Sequence, residues 1–329
     1  MRSAILVIPL VLVLVPDWTM EPRLPLFEGE PEVIYGRVAL DPDNPARRTV
    51  GALTYLGGIR LRSDDPAFGG FSAMHVAGRR FSLLADAGLG YSFTMGRDLV
   101  PRGGRGWEVP DGPGIGWTRT DRDAESVAVE PTTGRVWIGY ENANEIWRYG
   151  PGLDRGEARR APRAMHDWPL NGGAESIVRL RSGRFLVLSE SEGVKGGARM
   201  ALAFDRDPTD FRARGFAFAY RPPVGYSPTD AAELPDGRLL VINRKFTLRA
   251  GFTAIVTLAD PRQLKPRALL GGREIARFAA PLVHDNFEAL AITREGGDTI
   301  VWIASDDNPP SFFQRSLLLK FRLDLPPRR

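Results

Sequence analysis

Side chains that could bind a cation stand at both ends of one short stretch, residues 284–308. Its pattern predicts two strands, Phe287 to Thr293 and Thr299 to Ala304, joined by a Glu-Gly-Gly-Asp turn. In an antiparallel hairpin the start of the first strand lies beside the end of the second, so Glu288 should lie near Asp306. The same rim would also hold Asp307, Asn286 and Asn308. Carboxylates placed this close repel one another unless a cation or a proton intervenes.

The same strand-turn-strand pattern recurs along the chain, at residues 71–86, 124–141, 174–190, 229–244 and 284–308. All-strand units with glycine-rich turns and a period near 50 residues predict an all-β fold, a β-propeller in which each unit is one blade. A length of 329 residues favours six blades, with five as the alternative. Strands between residues 32 and 63 could complete the sixth blade and pair with Leu317 to Leu323, closing the ring. We expect one propeller domain over residues 32–325.

Equivalent positions of the five hairpins should form rings around the channel, because the first strand of each blade lines it. The start of the first strand is occupied by Ser72, Glu125, Glu175, Asp230 and Glu288. The end of the second strand is occupied by Asp86, Glu141, Glu190, Arg244 and Asp306. Both rings should lie at one mouth, and eight of these ten residues are carboxylates. If they were merely solvated turn residues, the opposite turns should also be acidic, but those contain mainly Gly, Pro, Arg and Ser.

A crowded set of carboxylate oxygens suits Ca²⁺, or Mg²⁺ or Mn²⁺, rather than zinc. The predicted metal ligands are Glu125, Glu141, Glu175, Glu190, Asp230, Glu288, Asp306 and Asp86. Arg244, with Lys245 and Lys195, could hold an anionic substrate group, or Arg244 could simply neutralise neighbouring carboxylates. His166 and His284 each precede an inner strand and could supply an acid or base, or could simply be exposed.

Composition excludes several classes of protein. The net charge of +4 is spread among acids with no basic run, which argues against nucleic acid as a partner. The chain has no cysteine, so disulfides, thiol catalysis and zinc-thiolate sites are excluded. It also lacks a glycine-rich phosphate loop, an HExxH pair and a Gly-x-Ser-x-Gly nucleophile elbow.

The N-terminus carries a short charged lead followed by an apolar run from Ala4 to Val15, interrupted by Pro9. This predicts that residues 1–20 are a signal peptide or an uncleaved N-terminal anchor, with a buried first strand as the alternative. We therefore expect a periplasmic or extracellular monomer with no membrane span beyond such an anchor.

Several motifs resemble one family. The segment from Asp285 to Ala291, followed by Ser305-Asp306-Asp307-Asn308 and residues 317–321, is similar to the closing signature of the phytase-like domain family, "esterase-like activity of phytase". Residues 69–72, 123–126 and 137–142 look like its earlier motifs. The resemblance covers roughly residues 33–325. It implies an exported bacterial propeller distantly similar to calcium-dependent propeller phytases.

Three functions fit these patterns. The first is a metal-dependent hydrolase of phosphate esters or related esters acting on a small anionic substrate, in which Glu125, Glu175 or Glu288 activates water. The second is a non-catalytic binding or scaffold propeller whose acids hold a structural Ca²⁺. The third is a lactonase-like propeller hydrolase, which would also use a metal in the channel.

Overall fold

The computed structural model describes residues 23–169, 172–194, 196–307 and 314–326. These residues form an all-β fold of 22 strands. Within those ranges the helical segments are short 3-10 turns, at Arg119–Arg122, Pro151–Leu153, Arg163–Met165 and Pro261–Gln263. No helix formed by the described residues is long and apolar enough to cross a membrane. The predicted signal peptide or anchor, residues 1–20, lies outside the described ranges.

The strands are grouped into antiparallel four-stranded units, the blades, that follow one another along the chain. Three N-terminal strands come first: β1 (Ile34–Arg37), β2 (Thr49–Val50) and the longer β3 (Leu53–Arg62). Blade 1 consists of β4 (Phe71–Ala77), β5 (Arg80–Ala85), β6 (Leu89–Met95) and β7 (Pro101–Glu108). Blade 2 consists of β8 (Ala124–Val129), β9 (Val136–Tyr140), β10 (Glu145–Tyr149) and β11 (Gly156–Arg160).

The remaining blades repeat this plan. Blade 3 consists of β12 (Ala174–Arg179), β13 (Phe185–Val194), β14 (Ala198–Phe204) and β15 (Gly215–Arg221). Blade 4 consists of β16 (Ser227–Glu233), β17 (Leu239–Thr247), β18 (Gly251–Ala259) and β19 (Leu269–Phe278). Blade 5 contains β20 (Phe287–Glu295), β21 (Asp298–Ser305) and β22 (Ser316–Leu323), and its fourth strand is β3. A parallel pairing of β15 with β19 joins the third and fourth units into one eight-stranded sheet, and β1 and β2 extend the last unit to six strands.

The N-terminal segment closes the ring. β3 pairs antiparallel with β22, with Ile59 opposite Leu318 and Leu61 opposite Ser316. The predicted pairing of the N-terminal strands with the C-terminal strand is therefore confirmed. It completes the fifth blade and does not build a sixth, because the inner strands of blades 1 to 5 contact one another in order and β20 then contacts β4. The prediction of six blades is not confirmed, and the described sheets agree with the alternative of five.

The core lies between adjacent blades, where large side chains from facing sheets interlock. Phe81 of blade 1 meets Trp302 of blade 5 edge-on, with ring centroids 4.7 Å apart. Trp137 of blade 2 packs in the same way on Phe185 of blade 3, at 4.9 Å. Burying such rings stabilises the contact between two blades by about 25 cal/mol per Å² of apolar surface removed from water. This packing sets the positions of the inner strand ends that surround the channel.

Candidate active site at the channel mouth

A cavity of about 340 Å³ lies at the mouth where the inner strands begin. Nine of the ten predicted ring residues line it: Ser72, Asp86, Glu125, Glu141, Glu175, Glu190, Arg244, Glu288 and Asp306. Four further lining residues were not predicted: Arg119, Thr120, Asp123 and Asn142. The acids are not solvated turn residues, since Glu175, Glu288 and Asp306 are 5%, 7% and 3% exposed.

A β-bulge at the start of every inner strand aims the ring side chains. The pairing of β8 with β9 skips Glu125, and the pairing of β20 with β21 skips Glu288. The same register shift skips Ser72 in β4, Glu175 in β12 and Thr229 in β16. A bulged residue leaves the ladder and its side chain can be re-aimed. The bulged residues of blades 1, 2, 3 and 5 line the mouth cavity, whereas Thr229 of blade 4 does not and donates its hydroxyl to the carbonyl oxygen of Phe287.

The bulge also corrects one prediction. In blade 4 the bulged residue is Thr229 and not Asp230, and Asp230 does not line the mouth cavity. A shift of one residue along a strand turns a side chain to the other face of the sheet. Asp230 instead accepts hydrogen bonds from the Leu290 amide at 2.7 Å and from Ser176 Oγ at 3.1 Å. It joins the inner strands of blades 3, 4 and 5, and this placement does not support its predicted role as a metal ligand at the mouth.

Three carboxylates at the mouth could share one cation. Asp86, Asp123 and Glu125 each offer an oxygen, and these oxygens all lie within 4.8 Å of one another. Asn142 Nδ2 donates to Asp123 at 2.7 Å, and Arg119 forms an ion pair with Asp86. An all-oxygen donor set of this kind fits a hard divalent cation.

Asp123 was missed because it lies outside both predicted rings. The signal for it was nevertheless present, since Asp123 stands two residues before Glu125 as Asn286 stands two residues before Glu288. The backbone carbonyl oxygen of each accepts an equivalent hydrogen bond. The amide of Glu141 donates to Asp123 O at 2.8 Å, and the amide of Asp306 donates to Asn286 O at 2.9 Å.

Arg244 is the centre of a second group on the other side of the mouth. Its guanidinium contacts Glu288, donates to Glu190 Oε1 at 2.9 Å and donates to Asn286 Oδ1 at 2.6 Å. Asn286 Nδ2 in turn donates to Asp306 Oδ2 at 3.2 Å. Burial works against the charge of Arg244, but the negative charges of Glu288 and Glu190 outweigh it and raise its pKa. In this state Arg244 neutralises carboxylates, as one of the two sequence interpretations proposed.

The remaining acids have too few cationic partners. Burial raises the pKa of Glu288 to about 8, although the charge of Arg244 lowers it. Burial raises the pKa of Glu141 to about 7, against the hydrogen bonds from Glu175 and Gly173. Burial, followed by the charges of neighbouring acids, raises the pKa of Glu125 and of Glu175 well above the usual range. These groups must share protons or bind a cation at neutral pH.

Lys245, His166 and His284 do not line the mouth cavity. Lys245 follows Arg244 in β17 and therefore points to the opposite face, where its Nζ lies 5.7 Å from the ring centroid of Tyr226. This placement does not support its predicted role in binding an anionic substrate at the mouth. His166 is exposed, and Nδ1 of His284 lies 2.6 Å from the carbonyl oxygen of Leu282. Lys195 and Asn308 lie outside the described residues.

A family model described as "Phytase-like: Esterase-like activity of phytase" matches residues 66–309 of the chain. The match begins just before blade 1 and ends just after Asp306, so it covers both groups of mouth residues. A search of curated proteins found no match.

Solved structures resemble the chain at low sequence identity. A putative 6-phosphogluconolactonase from Bacteroides uniformis is 12% identical, with 86% of this chain and 80% of that chain covered and a TM-score of 0.39. Hydrazine synthase from Kuenenia stuttgartiensis is also 12% identical, with 73% of this chain and 78% of that chain covered and a TM-score of 0.39. At this similarity the activity of neither protein transfers to the chain.

Proposed function

The chain belongs to the phytase-like family, and on that basis we propose that it is an exported, divalent-cation-dependent hydrolase of phosphate esters or related esters. The observation that carries the proposal is the group formed by Asp86, Asp123 and Glu125, whose oxygens lie within 4.8 Å of one another. This group opens into a cavity of about 340 Å³, which is large enough for a small anionic substrate.

Asp86, Asp123 and Glu125 would hold the cation, and Ca²⁺ suits their all-oxygen donor set, with Mg²⁺ or Mn²⁺ as alternatives. When bound, a divalent cation polarises a phosphoryl or carbonyl oxygen and offsets the negative charge that develops there. Arg119 lines the same cavity beside Asp86 and can orient the anionic group of the substrate.

Glu288 and Glu175 are the proposed general bases. A base works best when its pKa lies near the working pH, and burial raises the pKa of Glu288 to about 8. Arg244 fixes the carboxylate of Glu288 through its guanidinium, so one face of that carboxylate stays oriented toward the cavity. Glu288 or Glu175 would take the proton from the attacking water. Glu125 is assigned to the cation and not to proton transfer.

Turnover of an aryl phosphate and an aryl ester, with Ca²⁺ and with chelator, tests this function. We expect the phosphate to be hydrolysed with Ca²⁺ and hydrolysis to cease with chelator. Asp123→Asn should lower the rate by about tenfold or more, since one charged ligand is lost. Asp167→Asn is the matched control, because the Asp167 side chain is 96% exposed and does not line the mouth cavity. Cation-independent turnover, or equal rates for Asp123→Asn and the control, would contradict the proposal.

A non-catalytic propeller with a structural Ca²⁺ is the second candidate. It is favoured by the contacts of Arg244, whose guanidinium is already engaged by Glu190, Glu288 and Asn286. Under this alternative Ca²⁺ would raise the melting temperature without any turnover of phosphate, ester or lactone substrates. Both candidates predict stabilisation by Ca²⁺, about 2.7 kcal/mol at a hundred times the dissociation constant. Equal melting temperatures in chelator and in millimolar Ca²⁺ would exclude both.

A further inference from the structure

A second cavity, of about 450 Å³, lies between blades 1 and 2 and shares no lining residue with the mouth. Its lining includes Arg80, Gly134 and Gly152, which lie at or beside the β4–β5, β8–β9 and β10–β11 turns. The inner strands begin at the mouth and run away from it, so these turns lie at the opposite face of the propeller. The cavity therefore opens on the face away from the acidic site.

Small side chains of blade 1 line this space. Ala77 and Ser82 line it together with Val127 and Val136 of blade 2, whereas the interfaces of blade 1 with blade 5 and of blade 2 with blade 3 each contain a pair of large aromatic rings. A cavity of this size falls within the range that small-molecule ligands occupy.

One wall of the cavity is an ordered aromatic surface. Trp107 of β7 lies opposite Gly90 of β6, and a Cβ atom at position 90 would come within 2.1 Å of the indole ring. Glycine at this position therefore allows the ring to lie flat on the strand. The indole Nε1 donates to Ser92 Oγ at 2.8 Å, which fixes the ring orientation. The indole ring, Leu84 and Ile138 form an apolar surface that suits an aromatic ring of a ligand.

Polar groups beside this wall have unused hydrogen-bonding capacity. Ser82 Oγ and Ser92 Oγ are 3.0 Å apart, and Ser92 already accepts from Trp107. The pair shares one hydroxyl hydrogen, so the other can be donated to a ligand. His75 also lines the cavity, and its imidazole has no hydrogen-bond partner among the described residues. Burial lowers the pKa of His75, so the ring is neutral at pH 7 and offers one donor and one acceptor.

The entrance carries more positive than negative charge. Arg80 and Arg105 line it with a single acid, Glu108. Arg105 lies 3.2 Å from Glu30, but both side chains are more than half exposed, so this ion pair can be exchanged for a ligand at little cost. Arg80 is exposed and has no acidic partner within the described ranges. An anionic group at the entrance would be attracted by these arginines while the apolar body lies inside.

We propose that the cavity between blades 1 and 2 is a binding site for a small aromatic monoanion, such as an aromatic carboxylate or sulfonate. Its ring would lie against Trp107, and its acidic group would face Arg80 and Arg105. This site is separate from the proposed hydrolytic site and does not depend on the presence of a cation at the mouth.

Fluorescence titration of the full chain with anilinonaphthalene sulfonate, an aromatic monoanion, tests the proposal. We expect saturable binding of one equivalent, unchanged by chelator. Ala77→Phe should weaken it by about tenfold or more, because a new ring would occupy the cavity. Val129→Phe, on the facing wall, is a second filling variant in case the first fails to fold, and melting curves confirm that each variant is folded.

Charge reversal tests the nature of the ligand. Arg80→Glu should weaken binding of the sulfonate by about threefold and Arg80→Glu/Arg105→Glu by about tenfold, since exposed ion pairs contribute about 1 kcal/mol or less each. Arg79→Glu is the matched control, because Arg79 is its exposed neighbour and does not line the cavity. Phenylnaphthylamine, which lacks the sulfonate, should not respond to any of these reversals.

Three results would overturn the proposal. Absence of saturable binding to the wild-type chain would exclude the site. Unchanged binding by folded Ala77→Phe and Val129→Phe variants would place the probe elsewhere. Equal effects of Arg79→Glu and Arg80→Glu would exclude recognition of the negative charge. None of these measurements uses the hydrolytic activity, so failure here is distinguishable from failure of the proposed function.

Discussion

At the scale of single residues, burial raises the pKa of several mouth carboxylates, among them Glu125, Glu175 and Glu288. The folded pKa of Glu288 is about 8, above the ordinary value of 4.5, because burial outweighs the attraction of Arg244. The folded chain therefore holds a proton between these pH values that the unfolded chain releases. The stability linked to Glu288 is fully present below pH 4.5 and is lost as pH rises through about 8.

Glu288→Gln should reduce the pH dependence of stability in the presence of chelator. Each proton held only by the folded chain makes the free energy of unfolding fall by about 1.4 kcal/mol per pH unit. The glutamine cannot ionise, so the variant should match the wild type near pH 5 and exceed it by about 1 kcal/mol or more at pH 8. Urea denaturation from pH 5 to pH 9 measures this.

Glu28→Gln serves as the matched control, because Glu28 is exposed and does not line the mouth. Its stability should follow the wild-type curve at every pH. If the free energy of unfolding of the wild-type chain rose from pH 5 to pH 8 in chelator, ionisation of the mouth acids would not destabilise the fold, and the prediction would be wrong.

At the scale of the strands, a bulge in each inner strand determines which side chain reaches the mouth. Glu125, Glu175 and Glu288 reach it because they are the bulged residues, while Asp230 stands one residue beyond the bulge. Its two oxygens accept from the backbone of β16 and β20 and from Ser176 of β12. Asp230 therefore stabilises contacts between blades and not a ligand.

Asp230→Asn should destabilise the fold equally with and without Ca²⁺. The NH2 group of asparagine would replace one carboxylate oxygen and so place a donor against either Leu290 N or Ser176 Oγ. Leaving such buried groups unpaired costs about 1–3 kcal/mol. Melting curves at pH 8, above the pKa of about 7 that burial gives Asp230, measure the change.

The exposed Asp298→Asn variant should change stability by about 0.5 kcal/mol or less. Loss of Ca²⁺-dependent stabilisation in Asp230→Asn, with no change in chelator, would instead restore Asp230 as a metal ligand.

At the scale of the whole molecule, β3 holds the ring together, because this N-terminal strand is the fourth strand of blade 5. β3 supplies the outer strand beside β22, and Gly58 of β3 lies opposite Leu319. A Cβ atom at position 58 would come within 2.6 Å of the Leu319 side chain, which shows how closely the two strands pack. The N-terminal and C-terminal strands of the propeller domain are therefore joined in one sheet.

Leu319→Ala should lower the free energy of unfolding by about 2–5 kcal/mol, because its fully buried side chain fills the closing sheet. Urea denaturation followed by tryptophan fluorescence measures the loss. Leu269→Ala is the control, since Leu269 is 45% exposed and should cost far less. Equal losses for the two variants would show that the closing sheet does not contribute more than an exposed strand.

Residues 1–20 should direct a fused reporter out of the cytoplasm, since a charged lead precedes a short apolar run. The reporter alone is the control, and an Ala4→Asp/Val7→Asp variant of the leader should abolish export by interrupting the apolar run. A reporter retained in the cytoplasm with the unaltered leader would favour the alternative, a buried first strand.

Local patterns alone were sufficient to predict the hairpins, the rings of acids and the closing pair of strands. Period-two alternation and turn residues depend on near neighbours, so Glu125, Glu175 and Glu288 could be aligned without knowledge of the fold. The pairing of β3 with β22 followed because an open edge strand is unfavourable.

The tertiary structure decided the features that depend on register and closure. The bulge of blade 4 lies at Thr229 and not at Asp230, and Lys245 points away from the mouth because it is one residue beyond Arg244. A difference of one residue along a strand decides the face on which a side chain lies. The blade count depends on where β3 pairs, and the cation group depends on Asp123 meeting Asp86 of the preceding blade. These are contacts between segments far apart in the chain, and no local pattern of residues specifies the distance between them.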